Sequence, residues 1–198
     1  MGKNILVVLG GGRPNGNSSR LAAEFARGAG DAGHRVEILS LLRHEVRGCL
    51  GCNACRYGKP CVQKDAFNEI APKIKAADCV AFVSPLYFWT LSARLKAFIE
   101  RFYCLAEYDP NPPYGRYERY PVRDSALLMT SADENFWTFR EAENYYRLAV
   151  VNYIGFRDRG VLLCGGCGDT NGKPQIDATG HLERAYEFGR RLYGNDDG

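Results

Sequence analysis

Residues Lys3–Ser19 read KNILVVLGGGRPNGNSS. The first part, through Leu9, is a continuous apolar run rich in β-branched residues, as expected for a strand buried on both faces. The last part opens Asn17–Ala32, where Leu21, Ala22, Phe25, Ala26 and Ala29 recur at helical spacing. Asn17 and Ser18 are good N-cap residues for that helix. A buried strand, a glycine turn and a helix in that order form the opening unit of an α/β sheet.

The same alternation continues outward. Strands are expected at His34–Ser40, Cys79–Ser84, Asp124–Ser131 and Arg159–Gly165. Helices are expected at Lys64–Ala77 (bent or restarted at Pro72), Ser92–Leu105, Glu141–Tyr153 and Ala178–Tyr193. Leu95, Phe98, Ile99 and Phe102 face inward in the second of these, and Ser92 can cap it. Five successive βα units make a parallel sheet with helices on both faces. By analogy the layout resembles the flavodoxin-like order 2-1-3-4-5. Ligands of such sheets bind past the carboxyl ends of the strands where the order reverses, here after Leu9 and after Ser84.

The 198 residues are enough for one large domain, and no repeat or interdomain linker divides residues 1–198. Hydrophobic residues make up 45% and charged residues 25%, ordinary for a globular protein. A net charge of +3 is too small to argue for nucleic acid and suits a phosphate-bearing small molecule. The opening residues lack the pattern of a secretory leader, and no apolar run approaches about 18 residues. A cytoplasmic protein without a membrane span is expected.

The loop Gly10–Ser19 nearly fits two nucleotide motifs and fails both. A dinucleotide fingerprint needs glycine where Asn15 stands. A Walker loop from Gly11 has Asn17 in place of its lysine, which removes the cation for β- and γ-phosphates and speaks against an NTPase. What remains is a glycine turn entering a helix N-terminus, where N–H groups and the helix dipole favour an anion. Arg13, Asn15, Asn17, Ser18 and Ser19 add charge and hydrogen-bonding groups suited to a monophosphate. The plainer alternative is a tight turn with an ordinary cap.

The segment after the third strand reads SPLYFWTLSARLKAFIER from Ser84. Pro85 stiffens the turn, and Tyr87, Phe88 and Trp89 follow the strand end. Aromatic side chains beside a crevice can stack on a flat ligand; the alternative is that all three are core. Beside a monophosphate loop they describe a flat ring with a phosphate tail, which is FMN.

The stretch GCLGCNACRYGKPC, Gly48–Cys61, holds four of the chain's eight cysteines. Disulfides are rare in the cytoplasm. Zinc usually takes two separated CxxC pairs. Successive short spacings suit an iron–sulfur cubane better. Cluster, zinc and empty or redox thiols all stay open on the residues alone. Cys79 and Cys104 fall in a strand and a helix and are expected as buried small hydrophobes. Cys164 and Cys167 form CGGC after the last strand, where a redox dithiol and a plain glycine turn compete.

GRPNGNS followed by SPLYFWTLSARLKAFIER resembles the NAD(P)H-dependent FMN reductase-like branch of the flavodoxin-like flavoproteins, most strongly over residues 5–103. The resemblance places Arg13, Asn15, Asn17 and Ser18 at phosphate-binding positions and Pro85, Leu86, Tyr87, Phe88 and Trp89 against the isoalloxazine. Gly11-Gly12 depart from the family's usual Ser-Pro and lose a hydroxyl contact. A third flavin segment is implied at Thr130-Ser131 and beyond, with Asp133 and Glu134 near the ring or in solvent.

The C-x2-C-x2-C-x5-C pattern is similar to the iron–sulfur flavoprotein subgroup. That similarity implies a [4Fe–4S] cluster on Cys49, Cys52, Cys55 and Cys61. The implied activity is FMN-dependent oxidoreduction, with NAD(P)H or ferredoxin as donor and a small acceptor such as a quinone or an oxygen species. A cluster-free FMN or quinone reductase and a flavodoxin-like electron carrier are the rivals. The resemblance also implies a homodimer or homotetramer. The Pro- and Tyr-rich insertion at residues 106–123 is expected as a surface excursion, a lid or a contact between subunits.

Overall fold

The computed structural model describes residues 2–55, 59–109, 111, 118–171 and 173–194. Five parallel strands form one sheet: β1 (Asn4–Leu9), β2 (Arg35–Ser40), β3 (Cys79–Pro85), β6 (Asp124–Thr130) and β7 (Arg157–Cys164). Their order is β2-β1-β3-β6-β7, the expected 2-1-3-4-5 once the short strands are set aside. The short pairs β4 (Glu107–Tyr108) with β5 (Glu118–Arg119) and β8 (Asp169–Thr170) with β9 (Lys173–Pro174) are antiparallel.

Side chains alternate across the sheet as the strand period requires. Leu6, Val8, Val80 and Phe82 point to one face, where they pack with α2 (Phe67–Ala76), α3 (Ala93–Glu100) and α4 (Arg140–Tyr146). Ile5, Val7, Leu9, Ala81 and Val83 point to the other, under α1 (Asn17–Asp31) and α5 (His181–Arg190). Apolar residues on both faces of β1 and β3 explain their unbroken hydrophobic runs.

Several boundaries differ from the sequence expectations. The capping residue of α1 is Gly16, so Asn17 and Ser18 lie inside the first turn and neither caps it. Their side chains turn instead toward β6 and the loop after β7, as described below. The second helix starts at Phe67, where the Asp65 carboxylate accepts the Phe67 N–H, and runs through Pro72 without restarting. The third helix keeps Ser92 as its cap but tightens to a 3₁₀ turn over Arg101–Leu105. The fourth turns into a π-helix over Arg147–Ile154, and the last begins at His181 after a 3₁₀ turn at Ile176–Ala178. Much of the 106–123 insertion, residues 110 and 112–117, lies outside the described residues. Among the described residues no helix is long and apolar enough to cross a membrane.

Candidate functional site

The loops after β1 and β3 are stitched together at the strand-order reversal. Gly10 N–H donates to the Val83 carbonyl at 2.8 Å, and the Ser92 hydroxyl donates to the Gly10 carbonyl at 2.9 Å. Ser92 N–H in turn donates to the Ser84 hydroxyl at 2.9 Å. The approach is close enough to require glycine: a methyl on Gly10 would lie 2.5 Å from Ser92 Oγ and 2.8 Å from Leu95 Cβ.

The residues that follow this junction, Gly11 and Gly12 on one side and Pro85 on the other, line a cavity of about 170 Å³ at the N-terminus of α1. The first N–H groups of a helix have no partner within it, and no side chain caps this one. The cavity is therefore lined by free donors and a positive dipole end. Arg13, Asn17, Ser18 and Ser19 line it from the first loop. Pro85, Leu86 and Tyr87 line it from the third, and Thr130 and Ser131 from the end of β6. Nine of the twelve residues expected around FMN thus meet at one cavity. Asn15 is exposed, and Phe88 and Trp89 stand outside the lining.

Two of the polar side chains serve the wall itself. Asn17 is buried; its Nδ2 donates to the Cys167 carbonyl and its Oδ1 accepts the Ile176 N–H at 3.1 Å. Ser18 Oγ and Thr130 Oγ1 share a hydrogen bond of 2.7 Å. These bonds tie α1 to β6 and to the loop after β7. That loop contributes Cys167, Gly168 and Asp169 to the cavity, which the sequence reading missed. Its only local signal was the glycine turn after the fifth strand.

The aromatic segment is not core. Tyr87 and Thr90 exchange two backbone hydrogen bonds, of 3.0 and 3.1 Å, around Phe88 and Trp89. Both central residues have positive φ, 48° and 58°, as a type I′ turn requires. The turn leaves Tyr87 50%, Phe88 93% and Trp89 49% exposed. Trp89 faces Trp137, with ring centroids 6.0 Å apart. Asp133 and Glu134 lie in solvent, and Asn135 and Thr138 hydrogen-bond to the Asp133 carboxylate.

Cys49, Cys52, Cys55 and Cys61 all line a second cavity, together with Leu50, Val62, Tyr103 and Ala106. The two cavities share no lining residue. Burial and then the neighbouring Cys61, Cys49 and Cys52 push the Cys55 thiol up. Among the described residues no three His, Cys, Asp or Glu side chains stand close enough to share a metal ion. Four thiols are the donor type a cluster would use, but they stand around the wall and do not converge on one point.

Burial lowers the thiolate content of Cys164 and Cys167. Cys164 is pushed up to about 12 by burial and by Cys167, and Cys167 to about 11 by burial and by Glu134. The glycine-turn reading of CGGC is the one these surroundings support. Cys79 is fully buried, as expected; Cys104 is only partly so.

A family model described as NADPH-dependent FMN reductase matches residues 3–132. The chain belongs to the NADPH-dependent FMN reductase family. It is 35% identical over 97 residues to an iron–sulfur flavoprotein of Methanocaldococcus jannaschii, covering 49% of this chain and 50% of that one. An iron–sulfur flavoprotein of Methanosarcina thermophila is 30% identical over 97 residues, 49% of this chain and 51% of its own. The chain spans about half the length of the curated relatives it matches. A NAD(P)H:quinone oxidoreductase from Methanothermobacter marburgensis shares the fold, with a TM-score of 0.76 and 19% identity over 100% of both chains. An azoreductase from Bacillus anthracis does so at a TM-score of 0.67 and 19% identity, covering 96% of this chain and 100% of its own.

Proposed function

We propose that this chain is an FMN-dependent oxidoreductase that takes reducing equivalents from NAD(P)H or ferredoxin and delivers them to a small acceptor such as a quinone. The observation that carries the reading is the uncapped helix N-terminus at the strand-order reversal, joined to an exposed aromatic turn, in a chain of the FMN reductase family. The residues fit the cofactor. Gly11 and Gly12 add no side-chain bulk to the cavity, Arg13 brings a cation, and Ser19, Thr130 and Ser131 offer hydroxyl groups. Pro85, Leu86 and Tyr87 give an apolar side on which a ring can lie.

FMN supplies hydride and single-electron chemistry when bound, so the protein's part is to bind, orient and shield it. Arg13 and the first turn of α1 would hold the phosphate, and Tyr87 with the turn at Phe88–Trp89 would flank the ring. No side chain is required as nucleophile or general acid.

Cys49, Cys52, Cys55 and Cys61 would hold a [4Fe–4S] cluster, which supplies single-electron transfer when present. The four thiols in one cavity and the relatives' names support that part of the reading. A cluster-free NAD(P)H-dependent FMN or quinone reductase is the second reading, favoured by the thiols' failure to converge.

Anaerobic purification followed by iron, sulfide and flavin assays separates the two. A ratio of about 4:4:1 supports the cluster; flavin alone supports the second reading. Protein that neither carries nor binds FMN ends both. Bleaching of the flavin by NADPH in a stopped-flow trace is expected, and its absence with bound FMN would leave an electron carrier.

A further inference from the structure

The cavity suited to an anion already contains one of the chain's own. Asp169, the first residue of β8, lies in its wall. Arg13 Nη1 donates to Asp169 Oδ2, and Asn17 Nδ2 donates to Asp169 Oδ1 at 3.2 Å. Arg13 and Asp169 are the cation and the anion among the residues that line the cavity. The carboxylate therefore occupies the two side-chain donors that a phosphate at this helix end would use first.

This is a held position, and not that of a stray surface carboxylate. The Asp169 side chain is 19% exposed. The preceding loop is anchored where Cys167 N–H donates to the Ser131 carbonyl at 2.7 Å and where Asn17 binds the Cys167 carbonyl. The following chain is anchored by Gln175 N–H on the Gly168 carbonyl at 3.1 Å and by Ile176 N–H on Asn17. Asp169 thus sits at the base of the short β8–β9 pair, opposite Pro174 and next to the anchor that Gln175 makes on Gly168. The Asp169 side chain can leave Arg13 and Asn17 by a change of rotamer, with no movement of the main sheet.

We propose that Asp169 is an intramolecular competitor for the flavin phosphate and sets the selectivity of the site among flavins. It neutralises Arg13 when the cavity holds no anion and releases Arg13 and Asn17 when a phosphate enters. A phosphate bound beside a retained Asp169 would meet a like charge at close range. A flavin without phosphate has no such conflict, because it needs neither Arg13 nor the space the carboxylate fills. The inference rests on the FMN reading above.

The test compares FMN with riboflavin on the intact chain, before and after Asp169→Asn. Dissociation constants come from quenching of flavin fluorescence, and a thermal melt confirms that the variant folds. Asp169→Asn keeps the shape but removes the charge and one of the two acceptor oxygens. It is expected to tighten FMN about tenfold, while riboflavin binding moves by less than about twofold. Asp169→Ala is expected to do the same. An FMN-to-riboflavin ratio that stays constant or falls in both variants overturns the proposal; a fall for both flavins together would make Asp169 a direct flavin ligand. If neither the parent nor the variants bind FMN or riboflavin, the flavin reading fails and this inference fails with it.

Discussion

The Arg101 guanidinium and the Asp65 carboxylate meet at 2.5 Å, with side chains 1% and 4% exposed. This buried pair closes the base of the cysteine loop. Asp65 also accepts the Arg47 N–H at 3.0 Å, and Arg101 Nη1 also donates to the Arg47 carbonyl at 2.9 Å. Residues 47 and 65 therefore bracket Cys49, Cys52, Cys55 and Cys61, and Arg101 pins both ends of the segment to the 3₁₀ turn after α3. Phe67 lies under the guanidinium, 5.0 Å from it. Among the described residues Arg101 Nε and Nη2 are buried without an oxygen or nitrogen hydrogen-bond partner, and the Cys61 thiol lies beside the guanidinium.

Arg101→Met should be among the most destabilising changes in the chain. It leaves Asp65 as a buried charge without its cation, and breaking such a pair costs about 3–5 kcal/mol. Urea denaturation followed by circular dichroism reads the loss. Limited proteolysis should also cut first between residues 47 and 65. A loss under about 1 kcal/mol, with the loop still resistant, would show that the pair does not close the loop.

The same pair gives the acid limb of stability a sign. Burial alone would raise the Asp65 pKa; Arg101 and the Arg47 and Phe67 N–H groups overcome it and hold the carboxyl below its ordinary value. A carboxyl depressed in the folded state contributes stability that is complete above its unfolded pKa, about 3.9. That contribution is lost as pH falls through the lower folded value. The urea midpoint of the parent chain should therefore drop steeply below about pH 4, and that of Arg101→Met less so. Parallel curves would remove Asp65 as a source of the acid limb.

The five strands and their helices were legible because their signals are local: apolar runs for buried strands and 3.6-residue periodicity for helices. The strand order was reached only by analogy. What the sequence concealed is long-range. Asn17 looks like a helix cap, and becomes a bracket to Cys167 and Ile176 only once β7 is in place beside it. Asp169 carries no local mark of an anion site, since its partners lie more than 150 residues away, as Arg13 does at a separation of 156. Phe88 and Trp89 carry no turn signature, because positive φ is ordinarily the province of glycine and asparagine. The π-helical stretch from Arg147 was hidden for a different reason: an apolar stripe does not report whether each turn holds one residue more.

The eight thiols should divide sharply in reactivity. Cys49 and Cys52 are exposed, whereas Cys79 and Cys164 are fully buried. With its pKa pushed up to about 12, Cys164 offers on the order of one thiolate in ten thousand at pH 8. In cluster-free protein, iodoacetamide at pH 8 should label Cys49 and Cys52 within minutes and leave Cys79 and Cys164 unlabelled in the folded chain. Peptide mass spectrometry assigns the sites. Rapid labelling of Cys164, or its recovery as a disulfide with Cys167, would restore the redox-dithiol reading of CGGC.

Phe88→Gly should make the protein more stable and its flavin site worse. A left-handed conformation costs an aromatic residue about 1–2 kcal/mol, and Phe88 adopts it at φ 48°. At 93% exposure its ring buries nothing that would offset the strain in this chain. Glycine removes the strain but adds freedom to the unfolded chain worth about 0.5–1 kcal/mol. The balance is a gain of about 0.5–1 kcal/mol, or roughly 1–3 °C in Tm for a chain of this size. Strain retained on an exposed aromatic residue points to use, and contact with the flavin ring is the use proposed for this turn. FMN should therefore bind Phe88→Gly several-fold more weakly while the melt moves upward. A lower Tm would refute the strain account. A higher Tm with undiminished FMN affinity would take Phe88 out of the flavin site and leave Tyr87 and Trp89 to flank it.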